Sequence, residues 1–155
     1  MHDCAVQEEM MVIDFYGFDQ IEDENLKFAV IMAKQNGKWI FVKHKDRSTW
    51  EIPGGHREEN ENTLNAARRE LFEETGAMEY DIKPVCVYSV KNEKDEDSSY
   101  TESYGGLYYA EIYELGELPK SEICEVCLFS DLPESLTYAT IQPYLYKKVI
   151  EFINK

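Results

Sequence analysis

"PGGHREENENTLNAARRELFEETGA", residues 53–77, decides how the rest of the chain is read. It places six glutamates between a Pro-Gly-Gly and Gly76, in a chain whose formal net charge is already −15. Asn62 or Thr63 is a suitable N-cap and Gly76 a suitable helix stop, so the pattern predicts a helix between them. With Glu70 set at 0° and ~100° per residue, Glu73 falls at about −60° and Glu74 at about +40°. Leu64, Ala67 and Leu71 fall between about 60° and 120°, so a core stripe borders the carboxylates. Like charges three and four residues apart cost a few tenths of a kcal/mol per pair, more where water is scarce. A solvated face would interleave lysines at these positions, and Arg69 relieves only part of the repulsion. The residues alone leave two readings: a bare acidic face, or converging oxygens for a hard cation such as Mg²⁺ or Mn²⁺.

Outward from this helix the chain reads mostly as strands. "NLKFAVIMAK" and "KWIFVKHK" flank "QNGK", an Asn-Gly turn between apolar runs, and predict a hairpin. "TWEIP" reads as a short strand ended by Pro53, with Gly55 in a tight turn. "YDIKPVCVYSV", "GGLYYAEIYEL" and "EICEVCLF" read as further strands, and residues 91–103 as a polar loop. In "TYATIQPYLYKKVIEFINK" the residues Ile141, Leu145, Val149, Phe152 and Ile153 recur at helical spacing, a stripe facing the core. Strands interrupted by one central and one C-terminal helix predict an α/β (α+β) sandwich with a mixed sheet.

Composition narrows the function classes. At 155 residues and 18.1 kDa, with 43% hydrophobic residues, the chain fits one folded domain spanning 1–155. No apolar run reaches the ~18 residues of a membrane span, and the N-terminus shows no signal-peptide pattern, so a cytoplasmic protein is expected. The acidic balance argues against polymeric nucleic acid held on a basic surface. It leaves open a phosphorylated small molecule, because bound cations invert the local charge. Cys124 and Cys127 form a single C-x-x-C on a strand, where residues three apart face opposite ways, so the pair reads as incidental thiols.

Gly55, five residues, Glu61, seven residues, Arg69-Glu70-Leu71, one residue, Glu73-Glu74, one residue, Gly76-Ala77: this spacing resembles the Nudix box. Every fixed position matches, with Ala77 where a larger aliphatic is usual. "KWIFVKH" followed by "WEIPGG" is similar to the lead-in of MutT-type members. The resemblance implies an α/β/α sandwich and a divalent-metal-dependent hydrolase of nucleoside diphosphate derivatives. It implies Glu70, Glu73 and Glu74 as metal-binding carboxylates, the Gly54 carbonyl as a further ligand, and Arg69 with Glu61 as the pair that orients them. It also implies a carboxylate from beyond the box, for which Glu111 is the first choice and Glu102 the second. Lys43, His44 and Arg47 form the basic cluster available for substrate phosphates. Glu51, Glu58 and Glu59 read as solvated. Sequence markers of the NADH-, coenzyme A- and ADP-ribose-cleaving groups are missing, which favours a nucleoside triphosphate, with 8-oxo-dGTP as the leading substrate. ADP-ribose, dinucleoside polyphosphates, capped or triphosphorylated RNA, and a non-catalytic nucleotide-binding module are the alternatives.

Overall fold

The computed structural model describes residues 11–93 and 100–155. Seven strands form one mixed sheet: β1 (Met11–Tyr16), β2 (Leu26–Gln35), β3 (Lys38–His44), β4 (Gly54–His56), β5 (Ala77–Glu93), β6 (Tyr100–Leu115) and β7 (Ile123–Phe129). The order is β1-β5-β6-β2-β3-β7, with β4 pairing β2 off this path. The β2–β6 pair is parallel and the other pairs antiparallel. Helix α1 (Thr63–Thr75) follows β4, and α2 (Gln142–Ile153) ends the chain.

Strand periodicity sorts the core into two layers. Ala29, Ile31 and Ala33 of β2 join Tyr108, Ala110 and Ile112 of β6 on one face, against Ala66, Ala67 and Leu71 of α1. Met32 of β2, Leu107 of β6 and Phe41 of β3 lie on the other, against Leu145 and Val149 of α2. A helix on each face of a mixed sheet is the α/β/α sandwich that the sequence predicts. It also explains why β2 reads as a nearly continuous apolar run, since both of its faces are covered.

The hairpin turn forms at Asn36 and Gly37, both at positive φ. Helix α1 is capped at the residues the sequence marks. The Asn62 side chain accepts from the Asn65 amide, and Gly76 closes the helix at φ 79°, its N–H donating to the Phe72 carbonyl. Thr63 at its start is pinned by Asp23, which accepts from both its amide and its hydroxyl, and by the Tyr108 hydroxyl at 2.9 Å.

Three expectations are corrected. "TWEIP" makes only isolated bridges, Val42 to Glu51 and Trp50 to Leu136, and the strand lies at Gly54–His56 instead. Gly54 can pair there because it lacks a side chain: a Cβ would stand 2.5 Å from the Ala29 carbonyl oxygen. Gly55 is accordingly a strand residue rather than a turn. The polar stretch 91–103 is partly strand, with Lys91 opposite Glu102 in the β5–β6 hairpin; residues 94–99 lie outside the described residues. An opposite-charge pair across the strands and the edge contact from β1 let a polar sequence pair there. β1 itself is absent from the sequence reading, and only its partner β5 makes it a strand.

Candidate active site

Arg69 organises the glutamates. Its Nε and Nη2 donate to the two Glu61 carboxylate oxygens at 2.8 and 2.9 Å, a forked pair that draws Glu61 down to a pKa of about 2. Nη1 reaches Glu70 at 3.1 Å and Glu73 at 3.3 Å, and Nη2 also donates to the His56 carbonyl. One guanidinium thus spans β4, the loop before α1 and two turns of α1. Arg57 fastens the same loop from outside, donating to the carbonyls of Leu26, Glu61 and Glu24.

Glu74 sits deepest, 8% exposed, with the Gly54 amide donating to it at 3.1 Å. Burial drives its pKa up to about 8, with Glu70, Glu51 and Glu73 adding repulsion and the Gly54 N–H opposing. Burial likewise raises Glu70, against the pull of Arg69. Gly55 explains how Glu70 fits: a Cβ there would collide with its carboxylate. Gly55→Ala should leave the melting temperature nearly unchanged, because a side-chain carboxylate can shift. It should lower turnover about 10²-fold by displacing that carboxylate, as steady-state kinetics would show.

The structure therefore brings together Glu61, Arg69, Glu70, Glu73, Glu74 and Gly54. Among the described residues, no three His, Cys, Asp or Glu side chains already stand in metal-ligating geometry. Arg69 holds Glu70 and Glu73, and the Gly54 amide holds Glu74, so a cation would have to draw these oxygens inward.

Glu111 does not join the group. In the β2–β6 register it lies opposite Lys34, whereas Gly54 pairs with Val30, four residues earlier on β2 and so about 13 Å back along the strand. Because β6 runs parallel to β2, its C-terminal half leads towards the hairpin turn and away from β4. There the Glu111 carboxylate accepts from the Tyr109 hydroxyl at 2.7 Å. Glu102 neighbours Ser103, which faces a cavity described below, so strand alternation turns Glu102 to the other face.

The basic cluster also divides. Lys43 points at Glu125 of β7, 3.6 Å away, and over the Trp50 ring, not at the glutamates. His44 and Arg47 converge on Glu51. His44 Nε2 lies 3.2 Å from Glu51 and 3.9 Å from Glu74, while Arg47 pairs with the other Glu51 oxygen and reaches the Tyr138 hydroxyl at 3.3 Å. Glu51, read from sequence as solvated, is 5% exposed and stands beside Glu74.

A cavity of about 460 Å³ opens from this cluster towards α2. Glu51, His44, Arg47, Gly54 and Gly55 form its polar end, and Phe28, Val30, Tyr88, Val90 and Leu145 line its walls. Phe28 stacks on Tyr88 and meets His56 edge-on.

Buried carboxylates at one end of a ligand-sized cleft, in an α/β/α sandwich, go with a matching family: residues 22–147 correspond to the NUDIX domain. The protein is a hydrolase acting on diphosphate bonds, and the chain belongs to the Nudix family. YtkD of Bacillus subtilis (strain 168), a provisionally assigned 8-oxo-dGTP diphosphatase, is 32% identical over 120 residues, 77% of this chain and 72% of that one. The crystal structure of the Bacillus subtilis pyrophosphohydrolase BsRppH superposes with a TM-score of 0.72 at 28% identity, covering 90% of each chain. An RNA pyrophosphohydrolase of Pasteurella multocida (strain Pm70) is 29% identical over 72 residues, 46% of this chain and 33% of that protein. Nudix hydrolases generally use divalent metal ions. No helix among the described residues is long and apolar enough to cross a membrane.

Proposed function

We propose that the protein is a Mg²⁺- or Mn²⁺-dependent hydrolase that cleaves the diphosphate linkage of a small-molecule nucleotide. The favoured substrate is a (deoxy)nucleoside triphosphate such as 8-oxo-dGTP, taken to the monophosphate and pyrophosphate. The observation that carries this reading is a cleft of base-plus-sugar size that ends at Glu51, Gly54 and Gly55, the residues that touch or adjoin Glu70 and Glu74. The residues fit a divalent cation. Glu74 is a buried and Glu70 a half-buried carboxylate, both with raised pKa values, and a cation supplies the countercharge that burial denies them. When bound, the cation neutralises the diphosphate and lowers the pKa of an attacking water.

In this reading Glu70, Glu73, Glu74 and the Gly54 carbonyl hold the cation. Glu61 fixes Arg69, and Arg69 orients Glu70 and Glu73. Glu51 takes the place beyond the box that the sequence offers to Glu111. His44 and Arg47 hold Glu51 rather than phosphates. A 5′-triphosphorylated RNA end is a second reading, favoured by the pyrophosphohydrolase relatives; it presents the same linkage to the same carboxylates.

The test is a panel with Mg²⁺ or Mn²⁺: 8-oxo-dGTP, normal nucleotides, ADP-ribose, dinucleoside polyphosphates, and triphosphorylated and capped RNA. Phosphorus NMR of the products should show nucleoside monophosphate and pyrophosphate from the triphosphates. Orthophosphate as the sole released product would contradict the proposal.

A further inference from the structure

Tyr138 stands at the rim of the cleft, 43% exposed, on backbone that is held on both sides. Before it, the Thr137 amide donates to the Trp50 carbonyl at 2.9 Å, and the Trp50 amide donates to the Ser135 carbonyl at 2.8 Å. The Thr49 and Thr137 hydroxyls meet across the same bridge. After it, the Tyr138 carbonyl accepts from the Ile141 and Gln142 amides at 3.0 and 2.9 Å, where α2 begins. The segment between β7 and α2 is thereby laced to residues 49 and 50, immediately before Glu51.

What this fixed tyrosine touches is Arg47. The Arg47 guanidinium lies over its ring, 5.7 Å from the centroid, and Nη1 donates to its hydroxyl at 3.3 Å. The same Nη1 donates to Glu51. Arg47 is itself exposed, and a long side chain in water has many rotamers, so an ion pair alone holds its geometry poorly. A ring and a hydroxyl at fixed places remove that freedom. Glu51 is the buried end of these contacts. One of its carboxylate oxygens meets Arg47; the other lies 3.2 Å from His44 Nε2, which is 3.9 Å from Glu74. Contacts thus run from Tyr138 through Arg47, Glu51 and His44 to the deepest carboxylate of α1.

We infer that Tyr138 is a positioning residue: acting through Arg47 from the α2 side of the cleft, it fixes the Glu51 carboxylate in the orientation that turnover needs. The inference rests on the reading above that places Glu51 in the catalytic machinery, and it adds what holds Glu51 there. Misplacing a reacting or ligating group by about 1 Å costs up to ~10²-fold in rate. Without Tyr138 the Arg47–Glu51 pair still forms but is no longer held, so part of that cost appears in kcat. The effect is carried by a carboxylate rather than by substrate binding, so KM hardly moves.

The experiment is a double-mutant cycle with 8-oxo-dGTP and dGTP, each with Mg²⁺, and with folding checked by melting temperature. Tyr138→Phe keeps the ring and should lower kcat ~2- to 5-fold. Tyr138→Leu lacks both ring and hydroxyl and should lower kcat ~10- to 30-fold, with KM within about twofold in both variants. Glu51→Gln should lower kcat ~100-fold, and adding Tyr138→Leu to it should cost less than about twofold more. A full Tyr138→Leu penalty in the Glu51→Gln background, or a KM rise in place of the kcat loss, would overturn the inference. Native turnover in Glu51→Gln would overturn it together with the reading of Glu51 beneath it. A crystal structure of Tyr138→Leu needs no substrate and should show Arg47 turned away from Glu51; Arg47 in its original place would overturn the inference as well. Hydrolysis of neither nucleotide by wild type would overturn the nucleotide reading and leave that crystal structure to decide the inference.

Discussion

Glu74→Gln should reduce metal-dependent hydrolysis by on the order of 10²–10³-fold or more, while the melting temperature measured with chelator stays level or rises. The two halves of this expectation have one cause. Glu74 is the most enclosed of the three helix carboxylates, and burial makes its ionised form unfavourable, with Glu70, Glu51 and Glu73 adding repulsion. Such a charge contributes nothing to the apo fold; in the proposed mechanism it meets a cation. The glutamine is isosteric and can still accept from the Gly54 amide at the same place. It cannot supply a negative oxygen. A variant that hydrolysed its best substrate at the native rate would refute the metal assignment.

The second large effect is on pH. Glu74 is raised from an ordinary carboxylate value near 4.5 to about 8 in the folded chain. Below about pH 4.5 the group is protonated in both folded and unfolded states and costs nothing. Between 4.5 and 8 the unfolded chain gives up its proton and the folded chain keeps it, so stability falls as pH rises. Above 8 the loss is complete, at on the order of a few kcal/mol. Chelator-treated protein should therefore melt progressively lower from pH 5 to 8 on this account. Added Mg²⁺ should restore the difference most strongly at the alkaline end, because binding displaces the Glu74 proton. Apparent cation affinity should rise by up to about tenfold per pH unit until near pH 8. A chelated melting curve that is flat or rising over this range in wild type, and identical in Glu74→Gln, would contradict the assignment.

How far the sequence carried depended on the range of the interactions involved. The acidic helix was legible because its determinants are local: Asn62 at the start, Gly76 at the end, and carboxylates three and four residues apart. The Asn36-Gly37 turn is local in the same way. The pairing of β6 with β2 is not, since the two strands lie some eighty residues apart in the chain. That one fact moved Glu111 away from the site. The Gly54-Gly55 pair reads as a turn from its composition. The structure uses it for close approach, Gly54 to the backbone of β2 and Gly55 to Glu70. Glu51 was hidden because a single glutamate near a strand end looks solvated until His44 and Arg47 are seen to close on it.

In the proposed site Glu70, Glu73 and Glu74 hold the cation, and Glu111 lies outside it. Mn²⁺ binding counted by electron paramagnetic resonance at pH 8, in wild type, Glu74→Gln and Glu111→Gln, tests both statements at once. Tight binding should be lost or at least tenfold weaker in Glu74→Gln and unchanged in Glu111→Gln. Native binding in Glu74→Gln, or loss of binding in Glu111→Gln, would contradict the assignment.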